Sequence, residues 1–226
     1  MFSCLRDPLN DSTTGSLPFS ASLKSFLLGL CVCLAVSLVT SPVFAISRQV
    51  NLNEMTAGAG RVVYGRISEV RSGVHPDYNH IAVLFVTLDV IEMLKGSATT
   101  RITFMQFAGA AQGRTHNYHL PKYAVGEEVV LFLYAESRYG FTSPVGEGQG
   151  KFQVSNDPRT GRPALLNERG NHLLFEPLKN ETAMSRLKLN AAERALITQQ
   201  RGAADLDTFR SVVRKLVTSG SVVKTS

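Results

Sequence analysis

Two histidines three residues apart are the strongest candidates for metal ligands in this sequence. They are His116 and His119, and an earlier turn carries His75, Asp77 and His80. Imidazole nitrogens and carboxylates are common ligands of transition metals. Residues at i and i+3 share a face only in a helix, and the loop around His116 has no helical pattern. Solvated loop histidines are therefore the simpler interpretation, and we predict no bound cofactor or metal.

Few other patterns in the chain could support catalysis. A serine hydrolase of the common type needs G-x-S-x-G, and a zinc protease needs H-E-x-x-H; the sequence contains neither. Residues 146–150 read GEGQG, which lacks the spacing of a phosphate-binding loop. A metal-dependent or hydrolytic enzyme that uses His116 and His119 stays as the alternative to a protein without catalytic activity.

Glu127 and Glu128 form the one adjacent carboxylate pair that could be considered for acid–base chemistry. Neighbouring residues of a strand point to opposite faces of a sheet, so the two side chains cannot share one site. We predict that Gly126, Glu127 and Glu128 form a turn that enters a strand, with both charges in water.

Aromatic and cationic residues in two loops are better candidates for binding a partner. One group lies in the turn before residue 81, and the other lies in or next to the polar loop 109–122. Tyrosine combines an apolar ring with a polar tip, which suits it to recognition surfaces. The predicted binding residues are Tyr78, His80, Arg114, His116, Tyr118, His119 and Tyr123.

Local sequence patterns predict the strands that would hold these loops. Residues 81–94 alternate with period two, residues 61–70 are rich in β-branched residues, and residues 101–107 are predicted as a third strand. Gly65 lies inside the first of them and predicts a bulge or bend. Residues 129–134 are apolar on both faces, which predicts a central strand.

Later segments predict further strands and then helices. Residues 139–144 could form a fifth strand, and the turn at 156–161 would close a hairpin between 151–154 and 164–166. Residues 181–200 contain many helix formers and polar residues, which predicts a loosely packed segment. A final helix begins near Asp205 or Asp207, either of which can cap it.

Together these elements predict a mainly β fold of the α+β class. A small antiparallel OB-like barrel is expected over residues 46–170, because at least five short strands precede the helices. A helical C-terminal extension over 171–226 would pack on the barrel or trail from it. A two-layer sandwich is the alternative architecture.

The N-terminal segment predicts export. Lys24 precedes an apolar run, and the triplet Val43-Phe44-Ala45 places small residues where a signal peptidase cleaves. The alternative is a retained membrane anchor, but the run spans about 15 residues, short of the roughly 20 needed to cross a bilayer. We therefore predict a signal peptide cleaved after Ala45, and a periplasmic or secreted protein with no membrane span after cleavage.

Composition limits the chemistry of the exported chain. All three cysteines, Cys4, Cys31 and Cys33, precede Ala45, so the mature chain would fold without disulfides or thiolate metal sites. The formal charge of +6 comes from 24 Lys and Arg against 18 Asp and Glu. The basic residues are scattered and form no cluster, which argues against a nucleic-acid partner.

Four short motifs resemble a known family. They lie at Val62–Ile67, Leu94–Gly96, Gly126–Leu133 and Gly150–Val154 and follow the patterns VxGxI, LKG, GEExxxFL and GxFxV. Their order resembles exported bacterial proteins whose barrel is similar to the netrin-like domain of tissue inhibitors of metalloproteinases. The resemblance covers about residues 60–155 and implies an OB-type barrel.

The resemblance implies no catalytic residue and no inhibitory mechanism for this chain. The inhibitors chelate the protease zinc with an N-terminal cysteine, whereas the predicted mature terminus here is Ile46-Ser47. The sequence therefore predicts an exported, non-enzymatic binding module whose partner is another exported protein. A structural component of the cell envelope is a second alternative.

Overall fold

The computed structural model describes residues 48–108 and 120–220. Within these ranges it contains seven strands, four α-helices and the short 3-10 helices Glu147–Gly150 and Glu176–Leu178. In chain order the elements are α1 (Leu52–Gly58), β1 (Arg61–Val74), β2 (Ala82–Lys95), β3 (Arg101–Phe107), β4 (Glu128–Leu133), β5 (Lys151–Asn156), β6 (Pro163–Asn167), α2 (Glu181–Arg186), α3 (Ala191–Thr198), β7 (Ala204–Asp205) and α4 (Leu206–Thr218).

All seven strands belong to one antiparallel sheet in the order β3-β2-β1-β4-β5-β6-β7. This confirms the mainly β fold with a C-terminal helix, and it confirms β4 as the central strand. β5 and β6 form the predicted hairpin, with Asn156 paired to Pro163 at its closed end. The sequence located β1 to β6, whereas the two-residue strand β7 was not predicted.

The sheet is open, and the predicted strand at 139–144 is wrong. That segment makes two isolated bridges, one from Phe141 to Met105 of β3 and one from Pro144 to Leu133 of β4. Proline has no N–H to donate, and the carbonyl of Phe141 turns back to accept from the N–H of Ser137 at 2.8 Å. Among the described residues these two bridges are the backbone link between β3 and the end of β4.

Gly65 produces the predicted bulge. The register between β1 and β2 shifts between Tyr64 and Gly65, and again beyond Ile67. A Cβ atom at residue 65 would lie 2.6 Å from the backbone oxygen of Asp89, so only glycine fits this approach. Such bulges bend the long β1–β2 pair locally.

Two hydrophobic cores lie on opposite faces of β4. Leu131 and its alternate neighbours pack with buried residues of β1, β2 and β3, including Val63 and Leu88. Val130 and Phe132 point the other way, into a larger core shared with the helices. Alternation along the strand therefore assigns successive side chains to different cores.

The C-terminal helices pack into the larger core. Phe209 of α4 is fully buried and contacts the rings of Phe132 and Phe152 at centroid distances of 6.3 and 5.2 Å. The Oδ1 atom of Asp205 accepts from the backbone N–H of Thr208 at 3.0 Å, which confirms the predicted cap.

The expectation of a loosely packed segment at 181–200 is wrong. Residues of α2 and α3, among them Met184, Leu196 and Ile197, are buried in the larger core. The cap of α3 is reciprocal, since Asn190 accepts from the backbone of Glu193 and the Glu193 side chain accepts from the backbone of Asn190. The low hydrophobicity of the segment reflects short helices that present only one face to the core.

Candidate functional site

An aromatic cleft of about 690 Å³ lies where the β1–β2 turn, the end of β3 and residues 137–141 meet. We use the name aromatic cleft for the depression lined by Tyr78, His80, Ile81, Phe107, Tyr139 and Phe141. Three large apolar rings are exposed there, Tyr78 by 38%, Phe107 by 52% and Tyr139 by 43%. Scattered exposed apolar residues are ordinary on proteins, but several around one depression mark a binding surface.

The β1–β2 turn forms one wall of the aromatic cleft. Val74 of β1 pairs with Ala82 of β2, so the chain must reverse between them. The N–H of His75 donates to the carbonyl of Ile81 at 2.9 Å, and the N–H of Ile81 donates to the carbonyl of Tyr78 at 2.9 Å. These two backbone hydrogen bonds therefore fix the position of Tyr78 in the turn.

Residues 137–141 form the facing wall. The N–H of Gly140 donates to the carbonyl of Ser137 at 2.9 Å, with Gly140 at a φ of 79° that favours glycine. Thr142, which follows Phe141, donates its N–H to the carbonyl of Met105 in β3 at 2.9 Å. The wall is thus attached to the sheet edge, and it presents Tyr139 and Phe141 beside Phe107.

The rings of the aromatic cleft contact one another in ordered pairs. Phe107 and Phe141 stack with centroids 4.1 Å apart and planes inclined by 11°. Tyr78 and Tyr139 meet edge to face at 5.9 Å across the cleft. The guanidinium of Arg138 lies over the Tyr139 ring at 4.6 Å. Such contacts restrict the rings in the absence of any ligand.

His75 lies beneath the aromatic cleft with only 2% of its surface exposed. Its Nε2 atom is 2.8 Å from the carbonyl oxygen of Tyr139, and its Nδ1 atom is 3.0 Å from the backbone nitrogen of Asp77. Because Nδ1 accepts from the N–H of Asp77, the ring hydrogen must be on Nε2, which donates to Tyr139. The ring also contacts Tyr78 and Phe141 at 4.9 and 5.2 Å.

Two of the predicted binding residues, Tyr78 and His80, meet in the aromatic cleft. Their rings are 6.4 Å apart and nearly perpendicular. The predicted residues Arg114, His116, Tyr118 and His119 lie outside the described residues.

Tyr123, also predicted to bind, lies elsewhere. Its ring packs edge to face on Phe104 at 5.7 Å, beside the smaller core, and the ammonium of Lys151 lies 4.9 Å above it. Burial raises the pKa of the Tyr123 phenol, and the nearby charge of Glu127 raises it further. The side chain is thus packed between the smaller core and a lysine.

The sequence interpretation missed four residues that line the aromatic cleft, Ile81, Phe107, Tyr139 and Phe141, and the positioning role of His75. Phe107 is the last residue of β3. Whether its ring is exposed depends on whether a later segment of the chain covers it, and the strand pattern does not show this. Phe141 lies in a segment that was predicted as a strand. Local patterns carry no information about which loops meet, so no sequence signal links Phe107 to Phe141.

The turn residues of the candidate metal set, His75, Asp77 and His80, do not form a metal centre by themselves; His116 and His119 of the same set lie outside the described residues. Both ring nitrogens of His75 are already used in hydrogen bonds to the backbone. In the part of the chain that the structure describes, no group of three or more His, Cys, Asp or Glu is arranged to hold a metal ion.

Glu127 and Glu128 are not charges in water, contrary to expectation. The carboxylate of Glu127 is almost fully buried and lies 2.7 Å from the ammonium of Lys151. Glu128 pairs with Arg66 and accepts a hydrogen bond from the Tyr64 hydroxyl at 3.1 Å. The strand pairing explains the second ion pair, because Glu128 opposes Arg66 across the sheet.

These ion pairs line a second, polar cavity of about 700 Å³, together with Lys122, Gln153 and Asn156. Burial raises the pKa of the Tyr64 phenol, and its hydrogen bond to Glu128 adds to the effect. Each carboxylate of this cavity has a cationic partner, so neither is a free acid or base. The aromatic cleft is therefore the better candidate for a functional site.

No helix within residues 48–108 and 120–220 is long and apolar enough to cross a membrane. Comparisons with models of protein families, with curated proteins and with solved structures give no match to this chain.

Proposed function

We propose that this protein is an exported, non-enzymatic binding module whose aromatic cleft takes an apolar segment of another exported protein. The observation that carries the proposal is the exposure of Tyr78, Phe107 and Tyr139 around one depression. Aromatic side chains are the usual anchors of protein interfaces, because they bury a large area with few rotatable bonds.

The rigidity of the walls supports a binding role. Backbone hydrogen bonds hold both the turn at Tyr78 and the turn at Gly140, and Phe107 is stacked on Phe141. A site whose groups are ordered beforehand loses less entropy when a ligand enters. A volume of about 690 Å³ is sufficient for the apolar side chains of a short peptide segment.

The one aliphatic hydroxyl at the aromatic cleft is engaged in the turn. The Oγ atom of Ser137 accepts from the backbone N–H of Phe141 at 3.1 Å and of Tyr139 at 3.4 Å. In the described chain, no hydrogen bond joins Ser137 to a histidine that could act as its base. This arrangement supports binding more than nucleophilic catalysis, which needs a base within hydrogen-bond distance.

The experiment is a selection of random peptides displayed on phage against the immobilised protein. We expect enriched peptides to contain two or more aromatic or aliphatic residues. The variants Phe107→Ser and Tyr139→Ser should weaken the binding of such a peptide by about tenfold or more, as measured by fluorescence anisotropy.

Ile91→Ser is the matched control. Ile91 lies on β2 outside the aromatic cleft and is 53% exposed, close to the 52% of Phe107. It should leave peptide affinity unchanged. Equal affinities of the Phe107→Ser variant and wild type, at equal thermal stability, would refute the aromatic cleft as the binding site.

Intact mass and metal content of protein from the exported fraction test the other parts of the proposal. A mass that begins at Ile46, without stoichiometric metal, supports an exported binding module. A metal that is retained by wild type and lost from His116→Ala would favour the alternative, a metal-dependent enzyme.

A further inference from the structure

The aromatic cleft is built on a histidine that must be neutral. The Nδ1 atom of His75 accepts from the N–H of Asp77 at 3.0 Å, and Nε2–H donates to the carbonyl of Tyr139 at 2.8 Å. One ring therefore joins the turn that carries Tyr78 to the wall that carries Tyr139. Only 2% of the His75 surface is exposed.

A second proton on His75 is incompatible with this arrangement. It would come from solvent and add to Nδ1, so that an N–H of the ring would face the N–H of Asp77 at 3.0 Å. Two donors in contact must separate, and the backbone N–H of Asp77 loses its acceptor. The Tyr78 ring, which contacts the imidazole at 4.9 Å, would move with the turn.

The charged groups around His75 favour a response to acid. Asp77 and Glu136 line the same cavity as His75 and can accept from a protonated ring that has moved towards solvent, while Arg138 opposes its positive charge. Tyr139 contributes only its carbonyl to the imidazole. His80 lies on the other side of Tyr78, and within the described residues no ring contact joins it to the imidazole of His75.

We propose that protonation of His75 opens the aromatic cleft and releases what is bound there. The release rests on the proposed function, whereas the opening of the cleft does not. Histidine is the side chain that changes charge between about pH 8 and pH 5, so acidification over that range would act as the signal for release.

The experiment measures the conformation of the aromatic cleft and its affinity for a ligand separately, between about pH 8 and pH 5. The chain has six tyrosines, so the ¹³C-tyrosine NMR signals of Tyr78 and Tyr139 are first assigned by comparison with the variants Tyr78→Phe and Tyr139→Phe. The neutral dye Nile red reports apolar binding. We expect the tyrosine signals to shift, and dye affinity to fall about tenfold, in one transition that coincides with protonation of His75.

His75→Gln is the variant that separates the hypotheses. Its amide N–H can donate to Tyr139 and its amide oxygen can accept from Asp77, but the side chain does not titrate. We expect this variant to keep its tyrosine signals unchanged on acidification. His80→Gln should retain the wild-type transition. A transition that persists in His75→Gln, or that vanishes in His80→Gln, would overturn the proposal.

The wild-type protein alone also tests the proposal, which matters if His75→Gln fails to fold. Long-range ¹H–¹⁵N spectra of the imidazole give its tautomer and its protonation directly. Protonation of His75 with no change at Tyr78 or Tyr139 would overturn the proposal. A His75-dependent change in the tyrosines without any dye or peptide binding would support the switch and contradict the proposed function.

Discussion

The side chain of Lys95 closes the carboxyl-terminal end of α1 by donating to the carbonyl of Thr56 at 2.7 Å. The same ammonium reaches the carbonyl of Ala59 at 2.5 Å. The last carbonyls of a helix have no partner within the helix, and a cation there also interacts favourably with the helix dipole. The motif LKG thus joins the end of β2 to the first helix.

Replacing this cation should loosen α1. We expect Lys95→Met to lower the free energy of unfolding by about 1–2 kcal/mol, because buried carbonyls lose a charged donor. Urea denaturation measures the difference. Lys179→Met removes an exposed ion pair with Glu176 and should change stability by less than about 0.5 kcal/mol. Equal effects of the two substitutions would contradict the capping role.

A methyl group at residue 65 should strain the bulge of β1. The Cβ of Gly65→Ala would lie 2.6 Å from the backbone oxygen of Asp89, so the two strands must separate locally. We expect a loss of about 1–3 kcal/mol, as for other overpacked sites. Gly58→Ala is the control, since its nearest neighbour would be 3.7 Å away. Thermal unfolding of Gly65→Ala at the wild-type midpoint would refute this close approach.

A charge in the middle of β4 should prevent folding. Leu131 is fully buried in the smaller core, and an unpaired carboxylate there costs several kcal/mol, a large part of the stability of an ordinary domain. We expect Leu131→Asp to be unfolded by circular dichroism, whereas Val125→Asp, at an exposed position, should fold. Soluble Leu131→Asp with a native spectrum would disprove the core assignment.

Glu193 should make stability depend on acid. Burial by itself raises the pKa of this carboxyl, but hydrogen bonds from Lys215, Ser211 and the backbone of Asn190 outweigh burial and hold the pKa below its usual value. A lowered pKa in the folded state contributes stability at neutral pH, and this contribution is lost as the pH falls below about 4.5.

Glu193→Gln should therefore be less stable at pH 7 and should lose less stability on acidification than wild type. The loss at pH 7 should reach about 3 kcal/mol, because the Lys215 ammonium is left without its carboxylate. Glu181→Gln, which alters an exposed ion pair with Arg194, should follow the wild-type acid profile. Parallel profiles for Glu193→Gln and wild type would contradict the assigned role.

The sequence predicted those elements whose signal is local. β3 was predicted with its observed bounds, Arg101–Phe107, from the residues of that segment alone. The cap at Asp205 and the bulge at Gly65 were predictable because each depends on a residue type at one position. In physical terms, these features depend on residue type and on local periodicity, which a short stretch of sequence contains.

The candidate site was predicted only in part because it depends on contacts between distant segments. Tyr78, Phe107 and Phe141 come from three separate parts of the chain. Glu127 and Lys151 are 24 residues apart and meet because β4 and β5 are neighbours. A pattern within a short stretch of sequence therefore cannot predict either set of contacts.

The two cores that share β4 have a consequence for cooperativity. Val130 and Phe132 hold the strand from one side and Leu131 from the other, so β4 cannot leave the sheet unless both cores open. Opening both cores amounts to global unfolding, and the amide hydrogens of β4 should exchange with deuterium only through that event. The turn that carries Tyr78 has no such double attachment, so its amides should exchange much earlier, through local openings at the cleft.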